Sequence, residues 1–126
     1  MEKKKTVLIA EDDLDVRMNL KLFFESNGYC CLEAVDGAEA IEQVKHHKPD
    51  LIVLDVMMPR LNGYQVCKSL KENPATKSIP VLMLTAKAEE ADRFWGERVG
   101  ADLYMTKPFD FEVLEKQIER LMKQRV

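Results

Sequence analysis

Five short apolar runs alternate along this chain with segments of helical period, and that alternation restricts the fold more than any other feature. The runs are TVLIA, CCLEA, LIVLD, VLMLT and LYM. The helical segments are Leu14 to Asn27, Ala38 to His47, Tyr64 to Lys71, Ala88 to Val99 and Phe111 to Lys123. Strand followed by helix, repeated in this way, predicts five βα units. The last helix is the clearest: Phe111, Leu114, Ile118, Leu121 and Met122 fall on one face, Asp110 can cap its start, and Lys123 and Arg125 suit its negative end. Gly28 and Gly100 read as helix stops, where a left-handed residue closes the last turn. LIVLD and VLMLT are apolar on both faces, as central parallel strands covered by helices must be. The predicted class is an open, doubly wound α/β sheet.

The chain has 126 residues, 46% of them hydrophobic, which is enough for one ordinary core, and it shows no internal repeat or linker. A single domain over residues 1–126 is expected. No run of about 18 apolar residues offers a membrane span, and the polar start MEKKK lacks the apolar segment of a signal peptide. A soluble, cytoplasmic chain without a membrane partner follows as the expectation. Cys30, Cys31 and Cys67 are odd in number, and neighbours on a strand point to opposite faces, so buried, reduced thiols are expected. A net charge of −3 provides no basic field for nucleic acid. His46 and His47 look like a solvated helix end, since adjacent helical residues point apart.

Ligands of doubly wound sheets collect beyond the carboxyl ends of the strands. The first run ends in Glu11 and Asp12, the third in Asp55 and the fourth in Thr85, while the fifth leads through Tyr104 to Lys107. Singly, each has a plain structural reading: Asp13 and Asp15 as helix-start residues, Asp55 as a turn residue, Lys107 as a surface lysine before Pro108. Together they would place three carboxylates on one rim, where mutual repulsion raises pKa values. A hard divalent cation relieves that cost, and Mg²⁺ takes one or two carboxylates, water and often a phosphate oxygen. The crowded acids of IAEDDLD, Ile9 through Asp15, therefore read as a metal cradle.

IAEDD, LIVLDVMMPRLNG, the dipeptide Thr85-Ala86 and GADLYMTKPF, in this order along the βα units, closely resemble a receiver domain of two-component response regulators. The resemblance covers almost the whole chain. It implies a flavodoxin-like sheet of strand order 2-1-3-4-5, with Asp55 as the acceptor of a phosphoryl group from a sensor histidine kinase or a histidine phosphotransfer protein. Aligning Arg17 with the family's frequent arginine puts the acidic pair at Glu11 and Asp12; the other register would use Asp12 and Asp13. By the first register Asp12, Asp55 and the Met57 carbonyl would touch Mg²⁺, with Glu11 acting through water. Lys107 and the Thr85 hydroxyl would take phosphoryl oxygens, Ala86 would leave room for the donor, and the peptide before Pro108 would be cis.

The resemblance also implies a switch, in which Thr85 moves toward the phosphoryl group and Tyr104 fills the space it leaves. The face of the fourth helix, fifth strand and fifth helix, with Trp95 nearby, would then be remodelled for a downstream protein target or an output domain, with a phosphorylation-dependent dimer among the expected assemblies. Met57 and Lys87 would flank the attacking water, and an apolar Met57 favours a long-lived phosphoryl group. A signalling domain that modifies itself is expected, not an enzyme with sustained turnover. Two rivals fit less well: a flavodoxin would not offer EDD to a flavin phosphate, and an aspartyl-phosphate phosphatase would carry an acid where Met57 stands. With the last helix ending near the last residue, the chain reads as a stand-alone receiver or as the front of a longer regulator.

Overall fold

In the computed structural model, which describes residues 4–85 and 99–123, the five apolar runs form one parallel sheet. Its strands are β1 (Lys5–Ala10), β2 (Tyr29–Ala34), β3 (Leu51–Asp55), β4 (Val81–Thr85) and β5 (Leu103–Thr106), in the order β2-β1-β3-β4-β5. The flavodoxin-like, doubly wound class expected from the sequence is the observed one. The described helices are α1 (Leu14–Ser26), α2 (Gly37–His47), α3 (Gly63–Glu72) and α4 (Phe111–Lys123). Thus α4 is the fifth helical segment of the sequence. The fourth, Ala88 to Val99, lies outside the described residues up to Val99, and so do Ala86, Lys87 and Trp95.

Because strand side chains alternate, the sheet builds two cores. Leu8, Ala10, Ile52, Leu54, Val81 and Met83 pack with Val44 of α2 and Val66 and Leu70 of α3. Val7, Ile9, Leu51, Val53, Leu82 and Leu84 pack with Leu20 and Phe24 of α1 and Leu114 and Ile118 of α4. Every residue of β3 and β4 is buried, as their unbroken apolar sequence requires of strands covered on both faces.

Local signals place the helices. Asp13 accepts from the Val16 amide and Asp36 from the Glu39 amide, while Asn62 and Gln65 form a reciprocal capping box on α3. Asp110 accepts from the Glu112 amide at the start of α4. Gly28 and Gly100, read as stops, do adopt left-handed backbone, with φ of 85° and 88°. One sequence expectation needs correction: Cys67 is buried, but Cys30 is exposed and Cys31 only half-buried. They lie near the start of β2, which strand order leaves at the edge of the sheet, with a neighbouring strand on one side only.

Candidate functional site

The strands do not merely end at the carboxyl rim; main-chain bonds carry their ladders one step further. The Glu11 amide donates to the Ala34 carbonyl (3.0 Å), the Val56 amide to the Leu84 carbonyl (2.9 Å), and the Lys107 amide to the Thr85 carbonyl (2.6 Å). β1 and β3 are neighbours whose register runs up to Ala10 opposite Leu54, so the next pair on the rim is Glu11 and Asp55. Each side chain is therefore fixed by sheet geometry as well as by its own contacts.

Ligand oxygens of Glu11, Asp12 and Asp55 lie within 4.8 Å of one another. Glu11 and Asp55 are buried and Asp12 is exposed, so the cluster has a closed floor and an open mouth. Lys107 reaches in from the end of β5: its Nζ donates to Glu11 Oε1 at 2.5 Å and stands 3.3 Å from Asp55 Oδ1. The Lys107–Pro108 peptide is cis. Asp13 turns away as the α1 cap, and its amide donates to Glu11 Oε2 at 3.2 Å. The geometry thus gathers Glu11, Asp12 and Asp55 and leaves Asp13 to the helix. Met57 sits in the loop two residues beyond Asp55, its side chain exposed.

Burial pushes the Glu11 carboxyl up to about 7; the nearby Asp55 carboxylate adds to the rise, and the Lys107 hydrogen bond opposes it. For Lys107, burial pulls the ammonium down, but the bond to Glu11 and the charges of Asp55 and Glu11 prevail and hold it above its usual range. The sign of the linkage follows. A carboxyl raised from 4.5 to about 7 stabilises the fold by its bound proton at low pH, and that contribution is lost as pH rises through about 7. Without divalent metal, wild type should lose on the order of 2 kcal/mol of unfolding free energy between about pH 5.5 and 8 relative to Glu11→Gln. Urea unfolding at the two pH values measures it; parallel losses in both proteins would contradict the assignment.

Thr85, the last residue of β4, is buried, and the parity of β4 and β5 puts it on the same sheet face as Tyr104. Tyr104 packs against the α2–α3 core, yet its hydroxyl is buried without a hydrogen-bond partner among the described residues. One residue that served in the sequence only to set the register of the acidic pair also contacts the site. Arg17, a turn into α1, donates from Nη1 to the Glu11 carbonyl (2.8 Å) and from Nε to Glu33 of β2 (3.1 Å). The signal was a lone acid near the end of the otherwise uncharged strand YCCLEA.

A cavity of about 470 Å³ lined by Phe23, Phe24, Tyr29, Ile118 and Met122 lies at the opposite, amino-terminal end of β1 and β2. It has no part in the acidic rim, and a hydrated ion on three carboxylates needs no such enclosure.

Residues 7–119 match the family described as the response regulator receiver domain. The alkaline phosphatase synthesis transcriptional regulatory protein PhoP of Bacillus subtilis is 41% identical over 94% of this chain and 49% of its own length, so the chain spans about half of that relative. The crystal structure of a response regulator from Chloroflexus aurantiacus superimposes with a TM-score of 0.92, at 35% identity over 96% of this chain and 99% of that one. The receiver domain of the sensor histidine kinase PA1611 from Pseudomonas aeruginosa, solved with a magnesium ion coordinated in its active site cleft, has a TM-score of 0.89 and 25% identity, covering 96% of this chain and 99% of that one.

Proposed function

Since this chain belongs to the receiver domain family of two-component response regulators, we propose that Asp55 is its phosphoacceptor, charged by a sensor histidine kinase or a histidine phosphotransfer protein. The observation that carries this reading is the juxtaposition of a buried Asp55 with Lys107 and two further carboxylates at one rim. A nucleophile, a cation for the phosphoryl oxygens and a set of hard oxygen donors stand together there.

The donor set fits Mg²⁺. Oxygens of three carboxylates converge on one mouth, and Lys107 is the ammonium paired with two of them among the described residues. Asp12, Asp55 and the Met57 carbonyl would hold the ion, with Glu11 acting through water. Bound there, Mg²⁺ would neutralise charge on the carboxylates and on a phosphoryl oxygen. Asp55 would attack phosphorus in line: an oxygen–phosphorus bond forms, the bond from phosphorus to the donor's imidazole nitrogen breaks, and that nitrogen keeps the electron pair. Lys107, already 3.3 Å from Asp55, would take a second oxygen, and the Thr85 hydroxyl a third.

The added charge would draw Thr85 toward the site, and Tyr104, on the same sheet face with its hydroxyl unpartnered among the described residues, would follow. The altered face beside β5 would be read by a downstream protein target, an output domain or a second phosphorylated copy, with no nucleic acid or membrane bound by this domain. No described helix is long and apolar enough to cross a membrane. Within this reading residues 1–126 are a single receiver domain working in the cytoplasm, and its chemistry is one self-modification per signalling cycle followed by slow hydrolysis.

Incubation with acetyl phosphate and Mg²⁺ should add the mass of one phosphoryl group, and EDTA added beforehand should prevent it. Intact-mass spectrometry reads both. No gain from acetyl phosphate or from a phosphorylated histidine kinase domain would sink the proposal.

A further inference from the structure

We propose that Arg17 is a positioning residue of the acidic site, bracing Glu11 through its main chain; the inference rests on the metal-binding role proposed above. Its side chain is only 13% exposed and spans two elements. On one side it donates to the Glu11 carbonyl, and on the other it pairs with Glu33, which lies opposite Ile9 on the edge strand. The Glu11 amide is already engaged by Ala34 of that same strand. Both main-chain groups of Glu11 are thus held, one by the sheet and one by Arg17. With its peptide neighbours fixed, the Cα–Cβ direction of Glu11 is fixed too, and so is the turn that presents Asp12.

The guanidinium suits this task because it is planar and always charged, and its fork can serve a carbonyl and a carboxylate at once. Lys21 also approaches Glu33, at 3.5 Å, but the Glu11 carbonyl is served by Arg17. The two cations therefore separate a brace from a mere surface ion pair.

Isothermal titration with Mg²⁺ and amide spectra of isotope-labelled protein test the brace. In Arg17→Met, which keeps an apolar stem of similar length, Mg²⁺ affinity should fall about tenfold, as when a support of a ligating side chain is lost. The Asp13 amide resonance should shift, because that amide donates to Glu11 Oε2 and reports the carboxylate's position. Glu33→Gln, which leaves Arg17 an acceptor but weakens its anchor, should shift the same resonance by less. Lys21→Met should leave affinity and resonance unchanged. The proposal is overturned if Arg17→Met leaves the Asp13 resonance in place, or if Lys21→Met reproduces its effects. Were wild type to bind no Mg²⁺, the proposed function would fall while the Asp13 resonance still decided the brace.

Discussion

Asp55→Asn is expected to reduce phosphoryl gain from acetyl phosphate to background while leaving the fold intact. The amide has nearly the carboxylate's shape, so a side chain in a protein position this buried can be replaced without opening a cavity. It lacks the anionic oxygen that attacks phosphorus. Lys107 keeps its hydrogen bond to Glu11. The same substitution removes the Asp55 charge that helps raise Glu11, so the Glu11 carboxyl should titrate lower, which carbon-detected magnetic resonance can follow. A full mass gain in Asp55→Asn would assign the acceptor to another side chain. An unchanged Glu11 titration would mean that burial and the Lys107 bond set its value without Asp55.

The second large effect comes from a residue with no side chain. Gly63 opens α3 directly behind the acceptor: a Cβ there would lie 2.5 Å from the Asp55 carbonyl oxygen and 2.9 Å from the Val56 Cα. These are backbone atoms at the end of a central strand and cannot rotate away. The Gly63 amide also donates to the Val56 carbonyl at 2.9 Å, which ties the helix start to the loop that leaves Asp55. Alanine in place of glycine ordinarily favours a helix by up to about 1 kcal/mol. Here the sign should reverse, with Gly63→Ala costing about 1–3 kcal/mol in urea unfolding, as overpacking does. Because the displaced atoms belong to Asp55 itself, its phosphorylation should slow as well. A variant as stable as wild type, or more so, would show that α3 can retreat from the strand. Gly37 plays the matching part at α2, where a side chain would strike the Leu61 carbonyl of the same loop.

Much of this was readable along the chain because the physics involved is local. Apolar runs on both faces marked β3 and β4 as interior strands, and strand burial is a matter of side-chain parity. Asp13 and Asp110 were legible as caps, since a cap bonds an amide two or three residues on. Asp55 stood out because it closes an apolar run at the end where doubly wound sheets do their chemistry. Cys30 was misread as buried for a complementary reason: whether a strand lies at the centre or the edge depends on where the other strands go, and no neighbouring residue encodes that.

By itself, then, the sequence determined the order of elements, their caps and the acids, hydroxyl and lysine at the strand ends, all properties of segments a few residues long. Tertiary structure decided which of those groups meet. Setting β1 beside β3 puts Glu11 next to Asp55, and setting β5 beside β4 brings Lys107 within hydrogen-bond reach of Glu11, 96 residues away in the chain. It also decided their electrostatics: desolvation is a property of the atoms packed around a carboxylate, so the rise of Glu11 to about 7 and the unforeseen hold of Arg17 on its main chain exist only once the sheet and α1 have closed over it.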